Sequence, residues 1–121
     1  MAHQASKLIL VVEDEPDLQR LLKLFLERSG YAVTTADNGL IALEKLSHTV
    51  PDLVITDIMM PEMNGIELIR EMKKNDDWAN IPVVVTSAMI AEPEITVLSD
   101  KYLNKPVAIS TLRRTLSTML S

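Results

Sequence analysis

Residues 52–65 read DLVITDIMMPEMNG. An apolar run, Leu53-Val54-Ile55, ends two residues later at the carboxylate of Asp57, and a loop that begins with Ile58, Met59, Met60 and Pro61 follows. A short run of this kind, bounded by Pro51 and a loop, reads as a strand buried on both faces. A carboxylate delivered to the end of such a strand must be solvated or paired, because burying it alone is costly.

Outward from this strand, helical and extended patterns alternate. LILVVE (8–13) is a second short apolar run read as a buried strand. Pro16 suits the first turn of a helix. Leu18, Leu21, Leu22, Phe25 and Leu26 then recur as one helical stripe, and Gly30 stops it. YAVTTA (31–36) is more polar and reads as an edge strand. Residues 39–48 place Ala42, Leu43 and Leu46 on one helical face, and 64–75 do the same with Ile66, Ile69 and Met72. IPVVVTS (81–87) and KYLN (101–104) are the last strands. Residues 107–120 form an amphipathic helix with Ile109, Leu112, Leu116 and Met119 inward and Ser110 as the expected N-cap.

The whole chain, 1–121, reads as one domain with a core over about 7–120. There are no cysteines, which excludes disulfides and thiolate metal sites. The net charge of −5 argues against direct nucleic-acid binding, which draws on basic side chains. The run Leu8 to Val12 is far too short to span a membrane or to serve as a signal peptide. His3 and His48 lack metal-ligand spacing and read as surface residues.

Alternating strands and helices imply an α/β fold with a parallel sheet covered on both faces. Right-handed crossovers bring every strand's C-terminal end to one edge, where ligands of such sheets bind. That edge receives Glu13-Asp14, Asp57, Thr86-Ser87 and Lys105-Pro106. Three carboxylates that close repel, so one stays protonated or a cation joins them. Mg²⁺ fits, since it takes a few hard oxygens and keeps room for water and phosphate. A lysine beside it would anchor a phosphoryl oxygen, and a carboxylate so placed could attack phosphorus to give an acyl phosphate.

LVVEDEP, DIMMPEMNG, TSA and YLNKP occur in the order found in the receiver domain of two-component response regulators, which this chain resembles over about residues 7–120. The resemblance implies a flavodoxin-like, doubly wound five-stranded sheet of order 2-1-3-4-5. It implies Asp57 as phosphoacceptor, Asp14 as a direct Mg²⁺ ligand, Glu13 acting through water, and the Met59 backbone carbonyl as a third protein ligand. Ser87 matches the hydroxyl that turns to the phosphoryl group, and Lys105 the site lysine. Pro106 matches a peptide that is often cis, and Tyr102 the aromatic rotamer switch. The implied partner is a histidine kinase or phosphotransfer protein, with a homodimer compatible, in the cytoplasm. The chain would be a phosphoacceptor signalling domain, not an enzyme, although it takes part in its own phosphorylation and dephosphorylation.

The sequence departs from the family at several points. Glu13 stands where Asp is commoner. Lys105 follows Ser87 by 18 positions, about one helical turn short of the usual gap. Pro93 falls inside MIAEPEITVLSD (89–100), where it breaks a helix. The fourth helix is therefore expected to be short, displaced or disordered. Met59 and Met89 flank the path of the hydrolytic water in the family, and neither can orient water, so slow autodephosphorylation is expected.

Two rivals are weaker. A receiver-like module free of phosphorylation has no need to retain Glu13, Asp14, Asp57, Ser87 and Lys105 together. An enzyme on a similar sheet lacks its chemistry here. EDEP after the first strand would repel a flavin phosphate, and DIM lacks the second Asp of a dehalogenase-type phosphatase.

Overall fold

A computed structural model describes residues 6–88 and 97–120. Its elements are β1 (Leu8–Val12), α1 (Pro16–Arg28), β2 (Ala32–Ala36), α2 (Gly39–His48), β3 (Leu53–Asp57), α3 (Gly65–Lys73), β4 (Val83–Ser87), β5 (Lys101–Asn104) and α4 (Ile109–Met119). All strand pairs are parallel and the order is β2-β1-β3-β4-β5, as the sequence implied.

The central strands are buried on both faces, and their side chains alternate between two clusters as the two-residue period requires. Leu10, Val12, Val54, Val83 and Val85 pack with Ala42 and Leu46 of α2 and with Leu68, Ile69 and Met72 of α3. Ile9, Val11, Leu53, Ile55 and Val84 pack with Leu26 of α1 and with Leu112 and Leu116 of α4. Each fully buried leucine or isoleucine contributes about 1.5–3 kcal/mol, which is why a polar group at the strand ends cannot drag the strand out of register.

Local chemistry fixes the helix starts. Pro16 occupies the first turn of α1. The Asn38 side chain accepts the Ile41 N–H at the start of α2. Asn64 and Glu67 cap α3 reciprocally, Asn64 Oδ1 accepting from Glu67 N–H and Glu67 Oε1 from Asn64 N–H. After α1 the chain reverses at Gly30, whose φ of 100° is easy only for glycine.

Three sequence expectations change. Ser110 does not cap the last helix: the N-cap is Ala108, with no side-chain bond, and Ser110 lies in the first turn. Leu21 and Ile109 belong to their helical stripes but remain 57% and 51% exposed, because both line a groove between α1 and α4 instead of packing on the sheet. In α3, Leu68 joins Ile69 and Met72 in the core while Ile66 is only partly buried. The expectation of a short, displaced or disordered fourth helix falls on 89–100, of which 89–96 lie outside the described residues. Val97 and Leu98 are helical, and Leu98 packs on the α2–α3 side of the sheet. Asp100 then ties the start of β5 to β4, accepting the Val83 N–H at 2.7 Å. No helix among the described residues is long and apolar enough to cross a membrane.

Candidate functional site

Strand register places the site. Val12 lies level with Ala36 and Thr56, Asp57 with Thr86, and Ser87 with Asn104. The residues at or just past these levels are Glu13, Asp57, Ser87 and Lys105, so the topology delivers all four to one edge. Glu13, Asp57, Thr86 and Ser87 are buried, and Asp14 is exposed.

Lys105 sits between two carboxylates. Its Nζ donates to Asp57 Oδ2 at 2.7 Å and to Glu13 Oε1 at 3.0 Å. The other oxygens are held by backbone: Ile58 N–H donates to Asp57 Oδ1 at 2.6 Å, and Glu15 N–H to Glu13 Oε2 at 3.1 Å. The loop bearing Lys105 is anchored by its own N–H, which donates to the Ser87 carbonyl at 2.8 Å. The Lys105–Pro106 peptide is cis.

Oxygen atoms of Glu13, Asp14 and Asp57 lie within 4.8 Å of one another. Such a donor set, two buried carboxylates and one exposed, suits a small hard cation that keeps part of its water shell. Lys105 neutralises one negative charge and leaves an acidic pocket.

Burial raises the Glu13 pKa above its ordinary 4.5, outweighing the lowering by the hydrogen bonds from Lys105 and the Glu15 N–H. The folded chain thus holds this proton more tightly than the unfolded chain. In metal-free buffer Glu13 adds stability at low pH and loses that contribution as pH rises from 4.5 through its raised value. Glu13→Gln should flatten this part of the melting-temperature profile; an unchanged slope contradicts the assignment. Burial alone would lower the Lys105 pKa, but the hydrogen bonds to Asp57 and Glu13 outweigh it and hold the ammonium above 10.5. Its contribution is complete below 10.5 and is lost only as pH climbs through the raised value.

The loop from Ile58 to Asn64 wraps the edge. Met59 is 65% exposed, and Met89 lies outside the described residues. Glu62 has a φ of 68°, a left-handed conformation unfavourable for a residue with a Cβ. Glu62→Gly should raise unfolding free energy by about 1 kcal/mol in urea titration, since the native strain exceeds the added freedom of the unfolded chain. A loss of stability would contradict the strain. Gly65 opens α3 with its Cα against β3: a Cβ there would lie 2.2 Å from the Asp57 carbonyl oxygen.

Tyr102 is half-buried on β5 and packs toward the α2–α3 side. His48 is exposed at the end of α2, and His3 lies outside the described residues. Sequence reading missed Gln19, whose side chain braces the loop after β1. No spacing singles it out, because it is one polar residue in a helix that carries several. The approach of Gly65 to Asp57 was equally hidden, since only the fold brings them together.

A five-stranded parallel sheet with an acidic pocket and a lysine at its carboxyl edge defines a receiver-type domain. The sequence matches the response regulator receiver domain family over residues 9–117, and the chain belongs to that family. It is a receiver domain of two-component signal transduction. The chain is 40% identical to the response regulator receiver protein CpdR of Brucella abortus, over 94% of this chain and 97% of CpdR. It is 37% identical to part of the sensor histidine kinase TmoS of Ectopseudomonas mendocina, over 93% of this chain but only 12% of TmoS. Among solved structures, the response regulator TrrA of Thermotoga maritima, in complex with Mg²⁺-BeF, superposes with a TM-score of 0.84 at 33% identity, covering 93% of this chain and 98% of TrrA.

Proposed function

We propose that Asp57 accepts a phosphoryl group from the histidine of a kinase or phosphotransfer protein, with Mg²⁺ held by Glu13, Asp14, Asp57 and the Met59 carbonyl. The observation that carries this reading is the Lys105 ammonium 2.7 Å from Asp57, beside three carboxylates whose oxygens lie within 4.8 Å. Bound Mg²⁺ would supply the charge that offsets repulsion between the carboxylates and an incoming phosphoryl group.

An Asp57 oxygen attacks phosphorus as the P–N bond to the donor imidazole breaks, and the released imidazole takes up a proton. Lys105 is placed to stabilise charge on the transferring oxygens. Backbone donation from Ile58 orients the nucleophile. Ser87, one position beyond the strand partner of Asp57, is the hydroxyl placed to bind a phosphoryl oxygen once it is attached. Its movement, followed by Tyr102 on the neighbouring strand, would shift the domain between two conformations and so change partner binding. The chain is read as a phosphoacceptor signalling domain in the cytoplasm, without catalytic turnover of a separate substrate.

Incubation with Mg²⁺ and a small acyl phosphate should add one phosphate by intact mass. The gain should disappear with Asp57→Asn and with EDTA. No gain under conditions that phosphorylate another receiver would overturn the reading.

A further inference from the structure

Asp14 is exposed, and no hydrogen bond to its carboxylate is found among the described residues. Its direction therefore depends on the backbone that carries it. That backbone is the Glu13–Asp14 peptide, a rigid plane whose oxygen is the Glu13 carbonyl. Gln19, half-buried in the first turns of α1, reaches back toward the helix N-terminus and holds this oxygen, Nε2 donating at 2.9 Å. The same nitrogen donates to Asp37 Oδ1 at 2.9 Å and lies 3.5 Å from the Ala36 carbonyl. All three partners accept only, so the amide must present its NH₂ group, and a carboxylate or thioether of similar length could not replace it. The preceding peptide is fixed separately, Glu13 N–H donating to the Ala36 carbonyl at 3.0 Å.

We infer that Gln19 is a positioning residue for the cation site. Anchored on Asp37, it sets the Glu13–Asp14 peptide plane and thereby aims Asp14 at the metal. This rests on the proposed reading that Glu13, Asp14 and Asp57 hold Mg²⁺. Asp14 is the exposed member of that set, so it has most to lose when its backbone is freed. Groups outside the ligand shell that orient ligands typically change metal affinity by about 10–100-fold. Gln19 acts through a backbone plane rather than on the ligand itself, so the low end of that range applies.

The test is calorimetric titration of the full chain with Mg²⁺ alone, beside phosphorylation by a small acyl phosphate at low and at saturating Mg²⁺. Gln19→Met should weaken Mg²⁺ binding about tenfold. It should slow phosphorylation at low Mg²⁺ and restore it to within about twofold at saturation, a split that mere loss of fold would not give. Asp37→Ala, at an exposed position, should weaken binding by a smaller factor. Asp37→Asn keeps the accepting oxygen and should stay near wild type. Wild-type affinity in both Gln19→Met and Asp37→Ala would overturn the inference while leaving the proposed function intact. So would a Gln19→Met rate that fails to recover at saturating Mg²⁺. A wild-type chain that binds no Mg²⁺ would overturn both.

Discussion

Replacing Gly65 with alanine should destabilise the domain by roughly 3 kcal/mol and impair phosphorylation with it. The new Cβ would sit 2.2 Å from the Asp57 carbonyl oxygen and 3.0 Å from the Asp57 carbonyl carbon and Ile58 Cα. All three are backbone atoms, so no side chain can swing aside. Either α3 retreats or the end of β3 moves, and the Gly65 N–H bond to the Ile58 carbonyl at 3.0 Å is strained in both cases. Alanine's better helix propensity returns at most about 1 kcal/mol, so the clash wins. Urea unfolding checks the size, and a variant as stable as wild type would show that the approach of α3 to β3 is looser than described. The coupling to function is direct, because the displaced atoms include the backbone of Asp57, the residue proposed to accept the phosphoryl group.

Lys105→Met should damage both stability and chemistry. It leaves Glu13, 2% exposed, facing Asp57, 10% exposed, without a cation. Removing one partner of a buried ion pair typically costs about 3–5 kcal/mol. Protonation softens that here, since Glu13 already holds its proton above the ordinary range. The loss in EDTA should therefore be larger at pH 8 than at pH 5, and Mg²⁺ should recover part of it. Phosphorylation should slow by about a hundredfold or more, the usual effect of deleting a charge that meets developing charge in the reaction. Lys105→Arg keeps the charge but cannot place a compact ammonium between the two carboxylates, so it should rescue stability better than rate. An equal loss at both pH values would contradict the electrostatic account, and a wild-type phosphorylation rate would contradict the role of Lys105.

The edge chemistry was legible because its determinants are local. In β3 the run Leu53, Val54 and Ile55 is apolar throughout, and the strand it forms is buried along its whole length. Parallel topology then turns the residue after each strand into a neighbour of the others. Helix faces were less legible. Leu21 and Ile109 obey the helical period, but both face a groove between α1 and α4 that only the packing of the two helices defines. Ser110 shows the same limit at a helix start, since the helix begins two residues earlier than a capping Ser110 requires, at Ala108, with no side-chain cap to announce it. Gln19 and Gly65 were hidden for a different reason. Their importance lies in contacts across the fold, with Asp37 and with Asp57, that no periodicity or spacing announces.

Phosphate should enter this domain on Asp57. Borohydride reduces an aspartyl phosphate to homoserine and so marks its position. The chain incubated with Mg²⁺ and a small acyl phosphate, reduced and mapped by peptide mass, should carry homoserine at position 57, and none when EDTA is present. Homoserine at Asp14 or at any other position, or none at all beside a receiver that labels under the same conditions, would contradict the account.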